Sequence, residues 1–268
     1  MKISQNLLTL PGSNMTQSPF QSDLSVNTDK ARQQASALTQ LLRVAVACVA
    51  LGLSVLCLQF GTAYLTAQHS EATVSRWFKG LEIPAATDIE LMQKNLESVS
   101  EILPSDAVVE LALARLYLLR GQAENSEVFY EAARTTLNDI RLAQPTHFQP
   151  LALLVLLDDM QNIPIADAMP NIEKALSAGA FEKETQLTIG PLIVKKWQHL
   201  SAHAQELAGP FVKSALREED TKQRMYSAMR EYSLVTPFLS YSSNKKTSAE
   251  LREMASSLMK HTENATYR

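Results

Sequence analysis

The sequence predicts an all-α protein in which a single N-terminal transmembrane helix precedes a domain of stacked helical hairpins. Three observations lead to this fold class. Only 8 of the 268 residues are glycine, and the helix-favouring residues Ala, Leu, Glu, Gln and Met are abundant. Runs in which apolar and polar residues alternate, as they do in half-buried strands, are rare. One long apolar segment near the N-terminus lacks charge, and capping signals divide the chain that follows it.

The apolar segment extends over residues 44–68 and contains no Asp, Glu, Lys or Arg. A helix needs about 20 apolar residues to cross a bilayer, so this segment predicts a membrane span. The alternatives are a buried core helix, which usually has a shorter apolar run, and a cleaved signal peptide. The 43 preceding residues exceed the length of an entire signal peptide, which is about 15–30 residues. We therefore expect an uncleaved anchor after a flexible tail, residues 1–43.

Basic residues flank the predicted span unequally. Lys30, Arg32 and Arg43 precede it, whereas Arg76 and Lys79 follow it. Because loops that remain in the cytoplasm carry the excess of Lys and Arg, the tail is expected to be cytoplasmic. The predicted location is then a bacterial inner membrane, with the C-terminal domain, residues 69–268, in the periplasm.

Small residues recur at spacings of three and four within the span, which places them along one side of the helix. Small side chains let a second membrane helix approach closely, so this side is a candidate packing site. The alternative is that small residues are simply frequent in membrane helices. The residues are Ala47, Ala50, Ser54, Cys57 and Gly61.

The charge distribution excludes some partners. The formal net charge is −3, and residues 1–68 have four basic and two acidic residues, so the remaining chain is acidic. Such a domain repels polyphosphates, and we expect no nucleic-acid partner. Both cysteines, Cys48 and Cys57, lie in the span, so the domain has no thiol for a disulfide or a metal.

Capping signals divide the domain into helices, with Gly121 predicted to end one of them and residues 209–210 to interrupt another. A repeat also emerges: Ala-x-Pro followed by Ala-Leu recurs after 40 residues. A Pro-Leu pair, at 150–151 and at 191–192, is predicted to begin the first helix of each hairpin. Periods of this length are typical of helical solenoids. The predicted helices are 87–103, 105–121, 123–143, 148–161, 165–178, 182–199, 202–233 and 247–261, with core repeats over about 85–218.

Several residues resemble the tetratricopeptide-repeat pattern of small residues at a helix crossing and aromatic residues between helices. They are Leu113, Ala114, Tyr117, Gly121, Ser126, Tyr130 and Ala133. The chain departs from that pattern at Glu110, where the family favours an aromatic residue, and in its 40-residue spacing. The residues expected to pack between repeat helices are Ala114, Tyr117, Ala133, Ala168, Ala175, Ala208 and Ala215.

The layout of the whole chain resembles that of the VpsP-like proteins of bacterial exopolysaccharide biosynthesis. A polar tail, one anchor, the sequence Arg-Trp-Phe at 76–78 and the segment LPSDAVVELALARLYLLRG carry this resemblance. It implies an accessory role in making or exporting a surface polysaccharide, with envelope proteins as partners and no assigned catalytic activity.

Catalytic patterns are weak. His199 and His203 are four residues apart, but no Cys or Asp lies near them in sequence. Asp158 and Asp159 are adjacent and point about 100° apart on a helix, so one is expected to face solvent and the other a base or a helix end. We expect neither a catalytic site nor a cofactor. A non-enzymatic scaffold is the leading hypothesis, and a carbohydrate-binding module or an enzyme with its site in the helical groove is the alternative.

Overall fold

A computed structural model describes the backbone of residues 20–242 and 244–266, and the side chains of residues 38–242 and 244–259. In this part of the chain there are ten α-helices, two short 3₁₀-helices and no strand. The predicted all-α fold class is thereby confirmed. The predicted tail, residues 1–43, overlaps with the first helix, and its residues 1–19 lie outside the described residues.

The helices are connected by short loops. The α-helices are α1 Phe20–Phe78, α2 Ala86–Ile102, α3 Ala107–Glu124, α4 Glu127–Ala143, α5 Phe148–Met160, α6 Ile165–Gly179, α7 Lys183–Lys196, α8 Ala202–Ala215, α9 Glu219–Glu231 and α10 Lys245–Thr266. The 3₁₀-helices are Trp197–His199 and Thr236–Tyr241.

The chain divides into two compact units between Gln59 and Phe60. In the first unit, every described side chain is exposed. The stretch of α1 over Leu38–Phe78 is long and apolar enough to cross a membrane. The structure therefore agrees with one candidate membrane helix near the N-terminus.

The second unit has three apolar clusters that share helices. The first joins the end of α1 to α2 and α3, the second joins α3 to α4 and α5, and the third extends from α5 to α10. Within this unit α5 packs against α7, α7 packs against α9, and α6 packs against α8. Because α3 and α5 each belong to two clusters, both helices bury apolar side chains on opposite sides.

Gly121 does not end α3, contrary to the sequence prediction. The helix continues to Glu124 and ends at Asn125, whose φ of 48° is left-handed. A Cβ atom on Gly121 would lie 2.5 Å from Cδ1 of Tyr130. The glycine is there because the Tyr130 ring of α4 packs directly against the backbone of α3.

Two further boundaries differ from the prediction. The predicted helix 202–233 is two helices, and the break follows Ala215 rather than the Gly-Pro pair, since Pro210 lies inside α8. Pro191 lies in the middle of α7, so that helix does not begin at its Pro-Leu pair. A proline removes one helical hydrogen bond, and the buried faces of α7 and α8 keep both helices continuous through it.

Candidate functional site

A cavity of about 680 Å³ opens between the end of α1, α3, α5, α7 and α9. We call it the groove. Seven of the residues that line it are apolar and come from the α1 end and α1–α2 loop, α3, α5 and α7. These apolar residues are Phe78, Leu81, Leu118, Leu119, Leu156, Met160 and Leu187.

The groove follows from the two-sided character of α3 and α5. Each of these helices buries apolar side chains in two clusters, so further leucines are left at the boundary between the clusters. Leu156 and Met160 are four residues apart on α5 and lie on one side of the helix. Together with Leu119 of α3 and Leu187 of α7, they give the groove an apolar wall that remains partly open to solvent.

Two ion pairs connect the helices around the groove. The Nζ atom of Lys79 lies 3.2 Å from Oε1 of Glu184, and Nζ of Lys183 lies 2.6 Å from Oδ2 of Asp220. The hydrogen bond to Asp220 raises the pKa of the Lys183 amine. Because these side chains are largely solvent-exposed, water screens both pairs and their contribution to stability is small. Their main consequence is that both lysines of the groove are neutralised.

Arg115 is the most buried cation of the groove, with 9% of its side chain exposed. Its Nη1 atom lies 3.1 Å from Oε1 of Glu71, and its guanidinium carbon lies 6.0 Å from the centroid of the Phe78 ring. Its Nε atom is buried and has no hydrogen-bond partner among the described residues. Burial, and after it the charge of Arg115, lowers the pKa of His147. Glu71 pairs with Arg115 much as Glu184 and Asp220 pair with the two lysines.

Arg224 is the cation of the groove that has no acidic partner among the described residues. It lies on α9, is exposed, and forms no ion pair or hydrogen bond with the described part of the chain. Asp220, one helical turn earlier, already pairs with Lys183. The groove thus has an apolar wall and one unpaired arginine, Arg224, within a domain that is acidic as a whole.

The residues predicted to pack between repeat helices lie outside the groove. Five of the six alanines are 0% exposed and Ala168 is 6% exposed, and all six belong to the apolar clusters of the second unit. Tyr117 is half-buried, donates a hydrogen bond to Glu97 at 3.1 Å and stacks with Phe129. Burial, reinforced by Glu97, raises the pKa of Tyr117 to about 12. The alanines that are 0% exposed are Ala114, Ala133, Ala175, Ala208 and Ala215.

The small residues of the predicted membrane-helix packing site are all exposed. The hydroxyl of Ser54 donates a hydrogen bond to the carbonyl of Ala50 at 2.8 Å, one turn earlier in the same helix. The thiol of Cys57 is free, and a Cβ atom on Gly61 would meet open space. The surface of α1 is therefore open along Ala47, Ala50, Ser54, Cys57 and Gly61.

The adjacent aspartates are both used in ion pairs between helices. Asp158 is buried, lies 2.9 Å from Nη2 of Arg134 and accepts a hydrogen bond from Asn171 at 2.7 Å. Asp159 lies 2.8 Å from Lys195 and 3.1 Å from Nζ of Lys196. The expectation that one carboxylate faces solvent is wrong, because lysines of α7 cover Asp159.

Other candidate chemistry is not assembled in the part of the chain that the structure describes. No three His, Cys, Asp or Glu side chains lie close enough there to hold a metal ion. The two tryptophans, Trp77 and Trp197, are each 8% exposed and belong to apolar clusters. Neither indole is available as a platform for a sugar ring.

Sequence reasoning missed the groove, because its four cations, Lys79, Arg115, Lys183 and Arg224, lie on separate helices and loops at least 36 residues apart. The one signal in the sequence was the density of leucine on α3 and α5. No family model, curated protein or solved structure matches the chain.

Proposed function

We propose that the protein is a membrane-anchored, non-enzymatic scaffold for the assembly of an envelope complex. In this proposal α1 is the anchor and the groove is the docking site for a partner protein. The observation that carries it is the groove itself, a solvent-open cavity in which several helices present apolar side chains beside the unpaired Arg224. A scaffold at a membrane raises the effective concentration at which its partners meet.

The anchor is best placed between Val44 and Thr62. Ala63 and Ala67 are buried in the apolar cluster with α2 and α3, so they are covered by protein rather than lipid. The stretch 44–62 rises by about 28 Å as a helix, close to the ~30 Å thickness of the hydrocarbon core. Its charge-free sequence is what such a span requires.

The stacked hairpins support a scaffold more than an enzyme. In a solenoid of helix pairs the first helices of successive pairs line a common surface, and here α3, α5, α7 and α9 all contribute to the groove. Tetratricopeptide-like repeats are our proposal for this arrangement. Surface polysaccharide biosynthesis or export is the proposed context, on the strength of the resemblance to VpsP-like proteins.

A carbohydrate-binding module is the competing proposal, and the burial of Trp77 and Trp197 disfavours it. Phe78 is the one aromatic residue that lines the groove. Titration of the full chain, in detergent, with fragments of the surface polysaccharide separates the two functions. We expect no saturation, whereas saturable binding that a groove substitution abolishes would favour the module.

Photo-crosslinking in living cells tests the docking site. A photoreactive amino acid at Leu187, which lines the groove, is expected to capture an envelope or polysaccharide-synthesis protein. The matched control is Leu91 of α2, which is more exposed and lies outside the groove. Equal capture from both positions, or none from Leu187, would contradict a docking role for the groove.

Reporter fusions test the orientation of the anchor. A reporter that is active only outside the cytoplasm is expected to work after Arg268 and to be silent at the N-terminus, because Lys30, Arg32 and Arg43 precede the span. The opposite pattern would place the domain in the cytoplasm and remove the periplasmic part of the proposal.

A further inference from the structure

The cations of the groove fall into two chemical classes. Both lysines, Lys79 and Lys183, are paired with carboxylates of the groove. Arg115 pairs with Glu71 but keeps an Nε atom without a partner among the described residues, and Arg224 forms no ion pair there. Guanidinium groups present a planar fork of donors that matches a carboxylate in a bidentate geometry, which an ammonium group does not. The donors of the groove that lack a partner therefore belong to guanidinium groups, which suit a carboxylate ligand.

The position of each arginine suggests a different contribution. Arg115 is nearly buried and its Nε atom lacks a partner among the described residues, so it offers a donor that is already stripped of water. A buried donor without an acceptor is unfavourable, and an acceptor supplied by a ligand relieves that cost. Arg224 is exposed at the α9 side of the groove, where its charge acts on the approach of a ligand.

The wall of the groove limits the shape of the ligand. Recognition of an extended peptide by strand addition needs a free sheet edge, and the described chain has no strand. Recognition of a polyproline segment needs several aromatic side chains, and Phe78 is the one that lines the groove. Leucine and methionine side chains from α3, α5 and α7 instead match the apolar face of an amphipathic helix.

We propose that the groove binds an acidic amphipathic helix of a partner protein. Its apolar anchors would lie against Leu119, Leu156 and Leu187, and a carboxylate on the edge of that face would pair with Arg224 and reach Arg115. This inference rests on the proposed docking function and names the chemistry of the docked segment. A partner of this kind also complements the unpaired charge of Arg224.

Designed peptides test the inference on the full chain in nanodiscs of zwitterionic lipid. One labelled peptide has Leu at positions i, i+3, i+4 and i+7, which form one apolar face of a helix, and Glu at the edge of that face. Its twin has Lys in place of Glu. Anisotropy titrations are expected to give about tenfold tighter binding of the Glu peptide. Raising the salt concentration is expected to weaken the Glu peptide more than the Lys peptide. Equal affinities would overturn the proposal.

Charge reversal locates the interaction. Arg224→Glu is expected to lower the affinity for the Glu peptide about tenfold and to raise the affinity for the Lys peptide. Arg252→Glu is the matched control, because Arg252 is also an exposed arginine without a partner in the described chain, but lies on α10 outside the groove. An equal loss in both variants would show a general charge effect and would overturn the assignment to the groove.

A lipid is the other anionic ligand with an apolar body. Vesicles of phosphatidylglycerol are therefore added as competitor, and we expect them to leave the Glu peptide bound. Displacement by these vesicles but not by phosphatidylcholine vesicles would assign the groove to a lipid headgroup and overturn the proposal. A cellular partner captured at Leu187 through a segment without acidic residues would also overturn it, while the scaffold function would stand.

Discussion

The two parts of α1 differ in composition and in surroundings: 17 of the 25 residues from Leu38 to Thr62 are apolar, against 8 of the 16 from Ala63 to Phe78. From Leu38 to Thr62 every side chain is exposed, and leucine and valine dominate. From Ala63 to Phe78 one face is buried in the domain, and that face contains alanine together with the polar residues Ser70 and Thr73. The part of the helix that is packed inside protein is thus the less apolar part.

The difference is what the proposed membrane span and the packed domain each require of their side chains. Lipid requires an absence of charge and tolerates many shapes, so large aliphatic residues dominate. A protein interior requires close packing and a partner for each polar group. Accordingly the hydroxyl of Thr73 donates to the carbonyl of His69 at 3.0 Å, and Glu71 pairs with Arg115.

The largest expected effect is on stability, and it comes from removing one aromatic side chain from each part of α1 and comparing the two losses. Trp77→Ala removes a buried indole from the cluster with α2 and α3, and we expect a loss of about 3–5 kcal/mol in the free energy of unfolding. Phe60→Ala removes a ring that the domain leaves partly exposed, and its expected effect is within about 0.5 kcal/mol. Denaturant unfolding of the full chain in detergent measures both. Similar losses would mean that the packing of the domain begins before Ala63.

Replacing alanine by leucine tests the same contrast between buried and exposed positions. The expected change in the free energy of unfolding is smaller than for the aromatic residues. Ala67→Leu, Ala175→Leu and Ala215→Leu add bulk where the side chain is buried, and each is expected to cost about 1–3 kcal/mol. Ala50→Leu and Ala202→Leu, at exposed positions, are expected to change stability by less than about 0.5 kcal/mol. Thermal melts of the full chain in detergent provide the comparison. If Ala175→Leu and Ala215→Leu melted with the wild type, the 40-residue repeat would be coincidental.

The smallest expected effect concerns the pH dependence of stability. Of the two parts of α1, the packed part is the one that places a charged residue, Glu71, against the buried Arg115. Burial and the Arg115 charge lower the pKa of His147 from its ordinary value of 6.5. The unfolded chain then binds more protons than the folded chain just below that pH, so stability falls as the pH falls through this range. Protonation of Nδ1 also removes the acceptor for the backbone N–H of Gln149, the hydrogen bond that caps α5.

His147→Asn is the matched variant for this prediction. Asparagine caps helices well and does not titrate, so the variant should lose less stability than the wild type between pH 7.5 and 5.5. Differential scanning calorimetry at a series of pH values gives the two curves. Parallel curves would show that His147 is protonated equally in the folded and unfolded chains.

Local signals predicted most of the helix boundaries. The predicted bounds of α2, α4, α5 and α6 differ from those of the structure by at most a few residues, because caps and prolines act within one helical turn. The errors at Gly121 and Pro191 have a tertiary cause. Both residues interrupt helices in isolation, but contacts with other helices keep these two helices intact, and Gly121 even allows the approach of Tyr130.

The sequence by itself determined the charge-free segment over 44–68, the all-helical fold and the burial of the alanines that recur after 40 residues. Each of these depends on composition or on spacing within one helix. Only the tertiary structure decided which cations of the groove lack an acidic partner and can therefore bind a ligand. Lys183 and Arg224 both lie near acidic residues in sequence, yet Asp220 pairs with the former and leaves the latter uncompensated. That choice depends on how α7 packs against α9, because an ion pair forms only where side chains of neighbouring helices meet.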